Sequence, residues 1–171
     1  MSRGKQRLRR ELPSELFIEN RQVGDYLYTA ETPADSASGS VKLLTADDRE
    51  TFIVCSAEQL AHRPPLSLLF DLFVGKGQGY ILAAYDGEKI VGYLSFITVS
   101  PSLYDTDFVY VNPEYQDRGY GKLLAHAYVK FARENGHDAY WSNAKTDASK
   151  ATATASGFTL IRKACKYVSQ T

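Results

Sequence analysis

The strongest amphipathic signal in the chain lies between Gly119 and Phe131. Tyr120, Leu123, Leu124, Ala127, Tyr128 and Phe131 fall at i, i+3, i+4, i+7, i+8 and i+11, which places them on one stripe of a helix. Asn135-Gly136 predicts its C-terminal stop, since both residues tolerate a left-handed conformation. Ahead of the helix, Asp107 to Val111 mixes aromatic and β-branched residues and predicts a strand. Asn112-Pro113 ends it, because proline has no N–H for a ladder and holds its φ fixed. The centre of the chain is thus strand, glycine-containing turn, long helix.

Elements of both periods surround this unit. Val41 to Leu44 predicts a strand, and Thr45 with Asp48 three residues on predicts a capped helix running to about Leu60. Pro64-Pro65 breaks the chain, and Leu66, Leu69, Phe70 and Phe73 make the apolar face of a short second helix. Gly75 to Gly79 has neither the spacing nor the following helix of a phosphate loop and reads as a mobile turn. Tyr80 to Tyr85 and Ile90 to Val99 predict a hairpin through Asp86-Gly87-Glu88-Lys89. Pro101 to Asp105 reads as a short connection. Asp138 to Ser142 predicts a strand, Thr146 to Ser156 a helix capped by Thr146 or Asp147 and ended by Gly157, and Phe158 to Val168 a last strand. Before all of these, Val23 to Thr29 reads as a short strand or a segment packed on the domain, and Thr32 to Ser40 as a loop. The order predicts an α/β domain around one mixed sheet over residues 41–171, with residues 1–40 as an N-terminal extension.

Composition adds limits. At 171 residues one compact domain is expected. No apolar run is long enough to span a bilayer, and no signal-peptide core follows the basic start, so a cytoplasmic protein without membrane contact is expected. Cys55 and Cys165 read as buried free thiols. His62, His126 and His137 lack metal-ligand spacing, so no metal is predicted. Arg3, Lys5, Arg7, Arg9 and Arg10 put five bases and no acid in the first ten residues, leaving 15 bases against 20 acids in the rest. A body near −5 is not built to bind nucleic acid. The basic arm reads as a solvated terminus that could touch RNA.

The chemistry concentrates at the glycine turn. The first N–H groups of a helix lack intrahelical partners and carry partial positive charge. Gly119 and Gly121 have no Cβ to hold off a bulky anion, and Arg118 and Lys122 flank them. A phosphate or pyrophosphate suits such a helix start. Gln116-Asp117-Arg118-Gly119-Tyr120-Gly121 resembles the Gln/Arg-x-x-Gly-x-Gly/Ala signature of the GNAT superfamily of N-acetyltransferases. The preceding Val-Tyr-Val-Asn-Pro-Glu-Tyr and the later Gly157-Phe158 resemble it too, so the likeness spans about Val41 to Val168. It implies the acyl-CoA N-acyltransferase fold, a mostly antiparallel mixed sheet flanked by helices. It also implies acetyl-CoA as cosubstrate, held by Val109, Tyr110 and Val111 along the strand. Gln116, Asp117, Arg118, Gly119, Tyr120, Gly121 and Lys122 would hold it at the turn, with Thr146 beside the pantetheine arm.

The resemblance implies attack of a neutral amine on the thioester, a base for its proton and a backbone N–H of Val109 or Val111 for the oxyanion. Base candidates are Tyr104, Asp105, Asp107 and Tyr110, with Asp107 and Tyr110 best placed by analogy. The family's tyrosine acid is missing, because Thr146, Ser149 and Ala153 stand where Asn, Ala and Tyr are usual. Ser149 is a candidate substitute donor, with helix packing as the plainer reading. Tyr140, Trp141 and Ser142 are candidates for the acceptor pocket, with core packing as the alternative. The leading expectation is an N-acetyltransferase acting on a small-molecule, protein or aminoacyl amine, as a monomer or homodimer. The other is a catalytically weak acyl-CoA-binding sensor or interaction module.

Overall fold

The computed structural model describes residues 17–30, 40–56 and 65–169. Its elements are β1 (Phe17–Tyr28), β2 (Ser40–Leu43), α1 (Arg49–Ser56), α2 (Leu66–Phe70), β3 (Tyr80–Asp86), β4 (Lys89–Ser100), β5 (Leu103–Val111), α3 (Tyr120–Glu134), β6 (Asp138–Ala144), α4 (Asp147–Ala155) and β7 (Phe158–Ser169). The strands form one seven-stranded sheet in the order β2-β3-β4-β5-β6-β1-β7. Every pairing is antiparallel except β5 with β6. This is the α/β architecture that the sequence predicts.

Alternation along the strands feeds two cores. Leu82 and Ala84 of β3 join Leu94, Phe96, Leu124, Tyr128, Trp141 and Phe158 under α3 and α4. Ile81 and Ala83, pointing the other way, join Phe52, Leu66, Phe70 and Tyr93 under α1 and α2. β3 and β4 are therefore apolar on both faces, as expected of strands covered by helices on each side. The predicted stripe of α3 faces the sheet, with Leu123, Leu124 and Tyr128 buried. Ala125, His126, Val129 and Ala132 are buried as well, so α3 is covered on a second side that its stripe does not announce.

Two elements differ from expectation. β1, read as a short strand at most, runs for 12 residues and stands inside the sheet between β6 and β7. β5 begins at Leu103, so most of the predicted connection Pro101 to Asp105 is strand. Leu103, Tyr104 and Asp105 pair with β4 on one side and with Asp138, Ala139 and Tyr140 on the other. The two-sided pairing overrides a weak local preference that Asp105 and Asp107 dilute.

The helix predicted to reach Leu60 is described to Ser56. The basic arm, the loop Thr32 to Ser40 up to residue 39, and His62 lie outside the described residues, as do the side chains of Cys55 and Cys165. No helix among the described residues is long and apolar enough to cross a membrane. None of their His, Cys, Asp and Glu side chains cluster in threes as a metal site would need.

Candidate active site

The site begins where β5 and β6 part. Their parallel ladder ends at Asp105 and Tyr140. At its last rung the Tyr128 hydroxyl, from α3, stands between the two backbones. It accepts from the Tyr140 N–H at 3.2 Å and has one proton to offer Tyr104 O at 2.9 Å or Tyr140 O at 3.0 Å. Two residues on, the Ser142 N–H goes to the Asp105 carboxylate at 3.1 Å. On the other edge of β6, the Asn143 N–H goes to Asp25 of β1 at 2.9 Å. On the β5 side the Asp105 carboxylate thus takes the N–H that a β5 carbonyl would bind if the ladder continued, and the strands diverge into a fork. Asn143 has φ 55, a left-handed turn that asparagine adopts more readily than most residues.

A β-bulge accompanies the fork. Ser95 pairs with Phe108 and Phe96 with Thr106, so Asp107 is the extra residue on β5. Its carboxylate is exposed and accepts from Ser95 Oγ at 3.2 Å.

Past the fork a cavity of about 500 Å³ opens between β5, the start of α3 and α4. Val109, Tyr110, Val111, Gln116, Asp117, Gly119, Tyr120, Gly121, Lys122, Thr146 and Ser149 all line it. Arg118 and Asp107 do not. Arg118 lies over the Tyr115 ring, its guanidinium carbon 5.1 Å from the ring centroid, and Lys89 approaches that ring at 5.2 Å.

The turn has a conformational reason for its composition. Asp117 and Gly119 have φ 60 and 87, so residue 119 favours glycine on backbone grounds alone. The first intrahelical bond of α3 runs from Leu123 N to Gly119 O, and no side chain caps the helix. The N–H groups of Tyr120, Gly121 and Lys122 thus precede the ladder, at the cavity wall. Gly121 has a second duty. A Cβ there would meet Thr152 Cγ2 at 3.3 Å, so its smallness also lets α3 approach α4.

On α4, Thr146 Oγ1 accepts from the Ser149 N–H at 3.1 Å and caps the helix. Ser149 Oγ accepts in turn from the Trp141 indole N–H at 3.3 Å. Trp141 is 2% exposed and lies against Phe158. It therefore faces the α3–α4 side of the sheet, whereas Asp105, Tyr140 and Ser142 alternate to the other side.

Electrostatics separates the base candidates. Burial raises the Asp105 carboxyl above its ordinary range, with the nearby Asp25 charge adding and the Ser142 hydrogen bonds opposing. Burial also raises the phenols of Tyr104 and Tyr110. Both are then protonated at neutral pH and can donate but not accept a proton. The Tyr110 ring lies 5.8 Å from that of Tyr93 on the α1–α2 face. Tyr128, Asp25 and the role of Asp105 at the fork escape sequence inspection, because each acts across 12 to 118 residues of chain.

Comparison with known proteins follows this geometry. A sequence model of the acetyltransferase (GNAT) family matches residues 41–158, and the chain belongs to that family. No curated protein matches it. Among solved structures it resembles a GNAT-family putative acetyltransferase from Novosphingobium aromaticivorans. The TM-score is 0.66 at 14% identity, covering 93% of this chain and 70% of that one. It also resembles a ribosomal-protein-alanine N-acetyltransferase from Brucella melitensis biovar Abortus, with TM-score 0.57, 19% identity, and 69% and 90% covered. AAC(6')-Iy, solved with the bisubstrate analogue CoA-S-monomethyl-acetylneamine, gives TM-score 0.57 at 13% identity, with 72% and 92% covered. At these identities the likeness is one of fold.

Proposed function

We propose that the protein transfers an acetyl group from acetyl-CoA to a primary amine by direct attack on the thioester. The observation that carries this reading is the fork. Beyond Asp105 the β6-facing edge of β5 has no strand partner among the described residues, and it leads to the uncapped start of α3. An extended pantetheine arm can pair with that edge while its pyrophosphate meets the N–H groups of residues 120–122. From Asp105 to Val111 the strand spans about 20 Å at about 3.3 Å per residue, a length suited to a long, thin ligand.

The two faces of the fork divide the reaction. The thioester lies on the α3–α4 face beside Trp141 and Ser149. An amine entering from the opposite face meets Asp105, which we assign as the proton acceptor in preference to Asp107 and Tyr110. Burial holds its affinity for a proton above that of an ordinary carboxylate, which suits a general base. The attacking nitrogen bonds to the carbonyl carbon, its proton passes to Asp105, and the C–S bond breaks to release a thiolate.

Titration with acetyl-CoA, CoA and ATP, read as a rise in melting temperature, tests the cofactor reading. A ligand at about 100 times its Kd adds about 2.7 kcal/mol. Stabilisation by CoA and acetyl-CoA but not by ATP is expected, and it should vanish in Gly119→Glu, which puts bulk and like charge at the pyrophosphate. No stabilisation of the wild type by CoA would refute the proposal. The second reading, an acyl-CoA-binding module without turnover, is favoured by Ala153 at the position of the family's tyrosine. It predicts stabilisation by CoA with no acetyl transfer across an amine panel.

A further inference from the structure

We propose that Trp141 is a positioning residue that turns the Ser149 hydroxyl proton toward the thiol of bound CoA. The inference rests on the acetyl-CoA reading above. An indole N–H can only donate, so in the 3.3 Å contact between Trp141 Nε1 and Ser149 Oγ the serine oxygen must accept. That leaves the serine proton pointing away from the indole. Among the described residues the hydroxyl proton has no acceptor, and the Ser149 backbone N–H goes separately to Thr146 Oγ1. A helical serine commonly returns its proton to a carbonyl one turn back, as Thr154 does to Lys150 at 3.0 Å. Ser149 does not.

Both residues line the cavity, and Trp141 lies one residue past the end of the β5–β6 ladder. The turn at residues 117–122 marks the pyrophosphate end, so the Trp141–Ser149 pair marks the end where the sulfur must lie. The indole is buried against Phe158, with ring centroids 5.4 Å apart, so its N–H direction is fixed by packing. When the C–S bond breaks, the electron pair leaves on sulfur. A hydroxyl is a weaker acid than a thiol, so Ser149 donates a hydrogen bond to the thiolate without losing its proton, and solvent later protonates the sulfur. The arrangement supplies a donor where Ala153 has removed the family's tyrosine.

The test needs no acceptor amine. CoA is bound to wild type, Ser149→Ala, Trp141→Phe and the double variant, and the thiol is titrated by its thiolate absorbance. A donor to the thiolate lowers the thiol pKa, and we expect wild type to hold it about one unit below free CoA, a tenfold gain in thiolate. Ser149→Ala should abolish that gain, and Trp141→Phe, which keeps an aromatic ring but not the N–H, should lose most of it. Trp141→Phe added to Ser149→Ala should change nothing further. A bound thiol that titrates like free CoA in wild type, or that Trp141→Phe leaves unmoved, would overturn the inference while the cofactor reading stands. Failure of CoA to stabilise the wild type would remove both. An equal shift from Trp141→Phe in the presence and absence of Ser149 would show a packing role only, and would also overturn it.

Discussion

Removing one oxygen, by Tyr128→Phe, tests the account of the fork. The Tyr128 side chain is fully buried, with its ring 4.9 Å from that of Phe96 and 6.4 Å from that of Phe158. Phenylalanine keeps those contacts and leaves no cavity larger than an oxygen. What disappears is the group that bonds the Tyr140 N–H and either the Tyr104 or the Tyr140 carbonyl. A buried backbone group left without a partner costs about 1–3 kcal/mol. For a chain of this size each kcal/mol moves the melting temperature by about 2–4 °C, so a fall of about 2–12 °C is expected. Urea unfolding at fixed pH should give the same loss with an unchanged m-value. CoA affinity, measured in parallel, separates two ways of failing. A variant as stable as wild type but with weakened CoA binding would mean that the ladder has zipped one rung further and narrowed the fork. If stability and affinity were both unchanged, the hydroxyl would not hold the strands apart, and the explanation of the cleft would be refuted.

Asp105→Asn keeps an oxygen for the Ser142 N–H but cannot take a proton, so acetyl transfer should fall by about 100-fold while CoA affinity holds. The wild-type carboxyl, raised by burial, binds a proton in the native state at pH values where the unfolded chain has lost it. Its contribution therefore declines as pH rises from about 4 through the raised value, and Asp105→Asn should remove that slope from urea midpoints measured across the window. His126 runs the opposite way. It is 5% exposed, neither ring nitrogen has a hydrogen-bond partner among the described residues, and burial followed by the Lys122 charge lowers its pKa. The unfolded chain takes up the proton first, so stability is full above about pH 6.5 and is lost on acidification. His126→Leu should be neutral or stabilising at pH 7.5 and should flatten the fall between pH 7 and 5. A wild-type slope retained in the variant would place the titration elsewhere.

What the sequence makes legible is what repeats locally. The α3 stripe, the Asp86 to Lys89 hairpin and the Thr146 cap each sit within a dozen residues and carry their own chemistry. The glycine turn is legible for the same reason, although the geometry splits its two glycines between a left-handed backbone at 119 and helix packing at 121. The fork is not legible, because Tyr128, Asp105 and Asp25 reach β6 from three separate elements. Asp105 and Asp107 look alike in sequence. A one-residue bulge puts Asp105 at the root of the fork and leaves Asp107 on the surface.

The place of β1 has a consequence for how the chain is made. It pairs Phe17 with Ser169 and Gly24 with Ala144, so during synthesis this strand waits for β6 and β7, which lie far beyond it in sequence. Contacts so distant in sequence are slow to close. Until β6 and β7 appear, β1 exposes both of its edges, the condition under which strands pair with the wrong chain. Slow synthesis or loss of β7 should therefore harm the yield of folded protein more than it alters the lining of the cavity, to which β7 contributes no residue.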